Sequence, residues 1–589
     1  MDPIEGQNKF GVLLACRHAA QYCVAYISIG FFVLVCCLPV AQAGSLLIRS
    51  ATLIDGTGKP PIHNANILVE GSMIRRVWTG DGAAQNVTPN TQIVDAEGKF
   101  VIPGLIDSHV HYRPYMGEMF LAHGVTAVND LGDPDIWLMA VKKGLNEGKI
   151  RGPRFYFCSG VTLVSVGKGE VRQGPSVRAR DLVTMWGPND AKRAVTILKE
   201  RAGCVKLTEF MKEDVFTPIA REARAAGMSV ISHSLNALDS AKWGITGIEH
   251  MTGVALATIL GPEGRRAVER MNIAAGHKNS FLYQWMEPAH FDEVISYLIE
   301  RNVFINPTLH FEWKALTEHA RDHELEDVRL LNNPDLQYVP LSERLVFLGQ
   351  YHWADKRSSE DREQFIKGYR RVQQFLSRFV RAGGKIYSGT DAAAALTPGL
   401  SLHHEMELLV DAGLTPMQAL QSSTQWAAEI MGLQNQLGTV EPNKFADLVI
   451  LRSNPLDDIR NTKAIDQVIR GGEVMDTSFH SDYQFPFLRY GPESKHLYNP
   501  VPVLLDIDPP VIPQGSAVKL RVLGRGFIPS SVVRVGELTI PTQWVSPAEL
   551  SATLAEYDTA QVGTVLITVE SPLPGGGVTE PLEFYITYP

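Results

Sequence analysis

The chain has 589 residues, 45% of them hydrophobic and 20% charged, with 50 glycines and 35 prolines. That length accommodates several domains, and the glycine and proline content argues against a plain helical bundle. A formal net charge of −9, with no basic tract, excludes the electrostatic footprint of a nucleic-acid partner.

Arg17 and His18 precede an apolar run over about 24–40, and Ala41-Gln42-Ala43 follows as a small-x-small cleavage site. This pattern reads as a secretory signal peptide over residues 1–43, with a long charged leader. It predicts a mature chain beginning at Gly44, periplasmic or secreted. The alternative is an uncleaved membrane anchor, for which the run is marginal, since a span takes about 20 residues. Cys16, Cys23, Cys36 and Cys37 lie in this segment, so the mature chain keeps Cys158 and Cys204. With no disulfide framework and no CxxC motif, these two are expected to be small apolar core residues.

Residues 44–102 read as short strands interrupted by turns at Gly56-Thr57-Gly58 and Asp81-Gly82. Over 103–435 the pattern changes to short apolar strands alternating with helical stretches. Strand candidates fall at 105–111, 124–130, 154–160, 204–210, 228–234, 247–251, 303–309 and 385–391. Eight such strands with intervening helices make an α/β fold, a (β/α)8 TIM barrel. In 360–382, Phe365, Tyr369, Val372, Leu376 and Phe379 recur at helical spacing, and Gly383-Gly384 stops the helix. Thr415-Pro416 starts another helix, expected to end near Gly432. The stretch 310–383 is too long for a simple crossover and reads as a lid, an oligomer contact or a surface insertion. Residues 436–476 return to strand character and are placed to join 44–102 in one small β-sandwich domain built from both flanks of the barrel. A linker over 477–500 leads to an all-β module at 501–589.

His109-Val110-His111 closes the first barrel strand. Side chains two apart on a strand share a face, so both imidazoles point into the barrel mouth, at the end where barrel active sites lie. His233, His250 and Asp391 close the fifth, sixth and eighth strand candidates. Each alone reads as a core histidine or a helix-capping aspartate. Together they gather imidazole and carboxylate donors at one end of the barrel, a set suited to zinc and related divalent ions. Lys206, on the fourth strand, has donors only and cannot ligate a cation as an ammonium.

In this order, the strand-one HxH, strand-four Lys, strand-five His, strand-six His and strand-eight Asp resemble the amidohydrolase superfamily. The resemblance runs over roughly 45–476 through VIPGLIDSHVH, GIEHMTG, SGTDA, LLVDAGLTPMQAL and GTVEPNKFADLVIL. The last phrase is similar to the subgroup of imidazolonepropionase-like proteins and metal-dependent prolidases. The resemblance implies two divalent metal ions, zinc in the first instance, bridged by N-carboxylated Lys206. One ion would be held by His109, His111, Lys206 and Asp391, the other by Lys206, His233 and His250. Such a pair can hold a bridging hydroxide as nucleophile and polarise a carbonyl. Asp391 would move the proton from nucleophile to leaving amine.

His403 and His404, in PGLSLHHEMELL, are candidates to orient a ligand or are ordinary helix-start residues. His310, after strand seven, is placed to touch substrate. His123 precedes strand two at the opposite end and reads as structural. The module at 501–589 resembles an IPT/TIG immunoglobulin-like β-sandwich, through its PP-x-IP-x-GS start, GRGF turn, WVSPAELSATL phrase and PGGG turn. It reads as a spacer or a surface-binding domain. The expected activity is hydrolysis of an amide or peptide bond in a small molecule or short peptide, X-Pro dipeptides included. A cyclic amide or lactone hydrolase with the same centre is the alternative enzyme, and a catalytically inactive barrel serving as a scaffold is the alternative from another class. The oligomeric state is left open.

Overall fold

The apolar runs after Pro103 form parallel strands whose side chains are buried on both faces, as expected where helices cover a sheet. They are β1 (Leu105–Val110), β2 (Val125–Asp130), β3 (Arg154–Ser159), β4 (Cys204–Leu207), β5 (Ser229–Ser232), β6 (Gly247–Glu249) and β7 (Phe304–Asn306). Neighbours in sequence are neighbours in the sheet, from β1 at one edge to β7 at the other. The computed structural model describes residues 44–588 apart from 81–89, 133–134, 165–170, 173–182, 186–187, 208–210, 271–280, 394, 484–498, 537 and 573–575. The expected signal peptide and residues 484–498 of the expected linker lie outside the described residues. Among those described, no helix is long and apolar enough to cross a membrane.

The parallel sheet has seven regular strands, where the sequence predicts eight. The run expected as the eighth, 385–391, is an irregular extended segment that nevertheless touches both edges. Parallel bridges join Ile305 to Ile386 and Val110 to Ala392. The Ser108 N–H donates to the Ser388 carbonyl at 3.0 Å, and the Asp391 N–H to the His109 carbonyl at 2.8 Å. Two features break the pleat. A Cβ at Gly389 would sit 2.4 Å from the His109 Cβ, so only glycine allows the backbone to pass so close. Asp391 adopts a left-handed φ of 63°, which no regular strand contains.

The flanks of the barrel share one eight-stranded sheet. Residues Leu448–Leu451 pair antiparallel with Phe100–Pro103, Leu448 opposite Pro103, and Ser45–Leu53 pairs with Ile62–Glu70. Ile48, Ile67, Val101, Leu448 and Ile450 are buried together beneath it. Arg154, at the start of β3, anchors this sheet to the barrel through Asp447, with Nε 2.6 Å and Nη2 3.0 Å from its two carboxylate oxygens. Further along, residues 503–587 form a four-stranded and a six-stranded sheet. Leu520, Val522 and Leu550 from the first meet Val533, Ile567 and Phe584 from the second in one apolar core.

The stretch 310–383 is mostly helical. It includes α1 (Leu309–Trp313), α2 (Ala320–Leu331) and α3 (Ser359–Arg381). The Ser358 hydroxyl caps α3 by accepting the Asp361 N–H at 3.0 Å. Its buried face carries Phe365, Tyr369, Val372, Leu376 and Phe379, and Gly383, at φ 95°, follows its end. Next comes α4 (Leu400–Asp411), nearly all of it buried. The helix expected from Thr415 to about Gly432 begins with a full capping box between Thr415 and Gln418, but it divides into Pro416–Ser422 and Gln425–Ile430. The break has a local cause. The Ser422 and Thr424 hydroxyls donate to the carbonyls of Ala419 and Leu420, each at 2.7 Å, drawing the backbone out of helical geometry.

Cys158 and Cys204 are not independent apolar residues: they form a disulfide. They stand directly opposite each other on β3 and β4, with the Asn129 amide 3.6 Å from the Cys158 sulfur. A separation of 46 residues carries no hint of that register, which only the parallel pairing of neighbouring strands creates. Replacing both by Ala should lower unfolding stability by about 2–4 kcal/mol, the usual worth of a native cross-link. Denaturant titration of the variant against the oxidised parent measures it; equal midpoints would show that the bond contributes nothing.

Candidate metal centre

His109 ends the regular part of β1 and is buried, while His111 lies one residue beyond β1 and is partly exposed. His233 follows β5, and His250 follows β6 with a left-handed φ of 62°. Asp391 lies on the irregular closing segment. His250, Asp391 and Thr308 are all non-glycine residues at positive φ. Such backbone persists only where its surroundings hold it, and here it turns side chains inward at the strand ends.

The rings and the carboxylate converge. His111 Nε2 lies 3.1 Å, and His109 Nε2 3.5 Å, from Asp391 Oδ1, while His250 Nε2 lies 3.9 Å from Oδ2. The His233 ring centroid is 5.2 Å from that of His250 and 6.5 Å from that of His109. Two overlapping donor groups result, His109–His111–Asp391 and His109–His233–His250, each with its donor atoms within 4.8 Å of one another. Lys206 lies on β4, and its charge is among those that act on Glu249.

The ring nitrogens facing away from this centre are fixed by buried partners that the sequence reading did not single out. His109 Nδ1–H donates to Glu249 Oε2 at 2.6 Å. Glu249 also accepts from the Asn306 amide and the Tyr387 hydroxyl, each at 2.7 Å. His250 Nδ1 lies 2.6 Å from the Thr308 hydroxyl oxygen. That hydroxyl gives its own proton to the Pro307 carbonyl, so it accepts from His250. Both imidazoles are thereby held with Nε2 as the lone-pair nitrogen turned towards Asp391. A signal existed in the sequence: Glu249 is a charged residue inside the buried run Gly247–Glu249, next to a candidate ligand, and a charge there needs a partner. Asp107 braces the closing segment by accepting the Thr390 hydroxyl at 2.7 Å and the Thr390 N–H at 3.0 Å.

Burial works to raise the pKa of Asp391, but His109, His111 and His250 outweigh it and hold the carboxyl well below its ordinary range. The same opposition operates at Glu249, where burial is outweighed by His109, Lys206 and Tyr387 together. Two ionised carboxylates thus stand among the imidazoles of the centre. This donor set fits divalent ions. A tetrahedral ion with metal–nitrogen distances of about 2.0–2.1 Å separates its ligand atoms by about 3.4 Å, close to the spacings between the rings and Asp391.

The other histidines singled out in the sequence make their described hydrogen bonds with other partners. His403 spans Thr462 Oγ1 at 2.9 Å and the His123 carbonyl at 2.9 Å, and His123 Nδ1 lies 2.7 Å from the Met119 carbonyl. His310 and His404 face each other and His323. None of their described hydrogen bonds reaches the six residues His109, His111, Lys206, His233, His250 and Asp391.

Residues 100–475 match the sequence model of the Amidohydrolase family. The chain belongs to the amidohydrolase family. Among curated relatives, an imidazolonepropionase of Streptomyces griseus subsp. griseus is 36% identical over 72 residues, 12% of this chain and 17% of that enzyme. Dihydropyrimidinase 1 of Caenorhabditis elegans is 35% identical over 104 residues, 15% of this chain and 19% of that protein. The matches thus span under a fifth of these relatives' lengths. The amidohydrolase fold extends further than the local identity. A solved Xaa-Pro dipeptidase with methionine bound in its active site superposes with a TM-score of 0.50 at 20% identity, covering 74% of this chain and all of that one. The ochratoxinase of A. niger gives 0.51 at 18% identity, covering 76% of this chain and all of that one.

Proposed function

We propose that this amidohydrolase is a binuclear metal-dependent enzyme that hydrolyses a carbon–nitrogen bond, amide or peptide, in a small molecule or short peptide such as an X-Pro dipeptide. The observation that carries the reading is the convergence of the Nε2 atoms of His109, His111 and His250 on Asp391, with His233 alongside, at the C-terminal mouth of a parallel barrel. His109, His111 and Asp391 would hold one ion and His233 and His250 the other, with N-carboxylated Lys206 shared between them. Divalent ions such as zinc would supply Lewis-acid polarisation of the substrate carbonyl and a water acidic enough to attack near neutral pH. Asp391, ionised and pinned by imidazoles, is the group placed to take up a proton and return it to the departing amine. Glu249 and Thr308 hold the His109 and His250 rings in their ligating tautomers.

A panel of dipeptides, N-acyl amino acids, cyclic amides and lactones, offered to the zinc-loaded protein, tests the reading. Turnover of an amide is expected; turnover confined to lactones, or none at all, would overturn it. Glu249→Gln removes the charge that orients His109 while keeping the shape. It should weaken metal affinity about 10–100-fold, measured by chelator competition, and unchanged affinity would show that the carboxylate does not act on the centre. For the remainder of the chain, the signal peptide and an IPT/TIG-like spacer at 501–589 complete the proposal, which makes the mature protein secreted or periplasmic.

A further inference from the structure

A second group of buried histidines shares no residue with the centre just described. His310 is on α1, His323 on α2 and His404 on α4, and all three side chains are fully shielded from solvent. Each offers a ring nitrogen, and these atoms lie within 4.8 Å of one another. We propose that His310, His323 and His404 hold a further divalent transition-metal ion, zinc in the first instance, that fastens the inserted helix α2 to the barrel helix α4.

The carboxylates around the rings set the tautomers. His404 Nε2–H donates to Glu326 Oε2 at 2.8 Å, and His323 Nε2–H donates to Glu407 Oε2 at 3.1 Å. The pairing is crosswise: Glu326 sits on α2 and serves the histidine on α4, while Glu407 sits on α4 and serves the histidine on α2. Lys463 Nζ lies 2.7 Å from Glu326 Oε1 and 2.7 Å from Glu407 Oε1, pairing with both acceptors. Each carboxylate therefore draws the ring proton to Nε2 and leaves Nδ1 with a lone pair. A carboxylate behind an imidazole is the usual support of a metal-bound histidine.

The inward-facing atoms then have a ligand's spacing. His404 Nδ1 lies 3.4 Å from His310 Nε2, about the edge of a tetrahedron around an ion bonded at about 2.0–2.1 Å. A hydrogen bond between those two atoms would account for them alone. It leaves His323 Nδ1, which has no hydrogen-bond partner among the described residues, buried with an unused lone pair. Such an orphan is unfavourable in a buried site, and an ion would take it. The rings of His323 and His404 stack with centroids 3.8 Å apart. Burial, reinforced by the neighbouring histidines, holds His310 and His404 well below the ordinary histidine range. An all-imidazole set suits zinc, copper or nickel over calcium or magnesium. A surface cleft lined by His319, Asp322, Glu326, Arg460 and Lys463 reaches His323 and gives an ion a way in. The site shares no residue with the first centre, so neither claim depends on the other.

Two measurements on the full-length protein decide it. Zinc counting by mass spectrometry should find one equivalent fewer in His323→Ala than in the parent, with amide turnover kept. Equal zinc content in a folded variant would overturn the site. Should the variant fail to fold, crystals of the parent grown with zinc carry the test. An anomalous peak at the zinc edge, about 2.0–2.1 Å from the three ring nitrogens, is expected, and empty density between the rings there would overturn the proposal.

Discussion

Asp391→Asn should lower kcat by roughly 10²–10⁴, the usual worth of a positioned general base, while leaving metal content close to that of the parent. Asparagine keeps an oxygen of the same reach, so it can still face an ion, but its amide neither accepts nor returns a proton at working pH. The parent carboxyl is ionised because His109, His111 and His250 overcome the effect of burial. Its depressed pKa means the base form is present through the whole range of ordinary carboxylate titration and above. The measurement is steady-state turnover on an amide substrate, with zinc counted on the same sample. A kcat within about threefold of the parent would remove Asp391 from any proton-transfer role, since that lies far below the range for a general base. A matched fall in zinc content would make it a ligand only.

The two-residue period of a strand makes His109-Val110-His111 conspicuous, because it sends both rings to one side of a buried run. His233, His250 and Asp391 are visible for a related reason: each ends an apolar stretch, and in a parallel barrel those ends share one rim. What spacing does not convey is how the rim is braced. Glu249 and Thr308 act through the far nitrogens of His109 and His250, and their effect depends on side-chain direction, which composition does not encode. The eighth strand illustrates the same limit. Its composition is that of a strand, yet close passage at Gly389 and the left-handed backbone at Asp391 make it irregular, and that irregularity is what turns the carboxylate towards the imidazoles. Cys158 and Cys204 become partners only through the register of β3 and β4. His323 lies within a polar inserted helix and acquires meaning only when α2 packs against α4.

Lys206→Ala separates the shared support of the centre from its chemistry. Lys206 sits on β4, two residues beyond Cys204, and its Nζ is shielded from solvent. A neutral amine is the form that adds to carbon dioxide: the nitrogen lone pair attacks carbon, a proton leaves the nitrogen for solvent, and a carbamate anion would remain. That anion turns a side chain with donors only into one with two acceptor oxygens, which can serve two cations at once. Alanine would remove the proposed shared ligand and nothing else in the donor set. Occupancy of both ions should then fall together, rather than one ion surviving, and turnover should fall with it by at least 10²-fold, as expected when Lewis-acid chemistry is lost. Millimolar acetate or propionate should restore part of both, because a free carboxylate can occupy the vacated position. The parent should gain nothing from the same addition. The proposed ion at His310, His323 and His404 is predicted to remain, so zinc should settle near one equivalent per chain. A Lys206→Ala protein that keeps two tightly held ions besides that one, or parental turnover, would show that the lysine plays no bridging part.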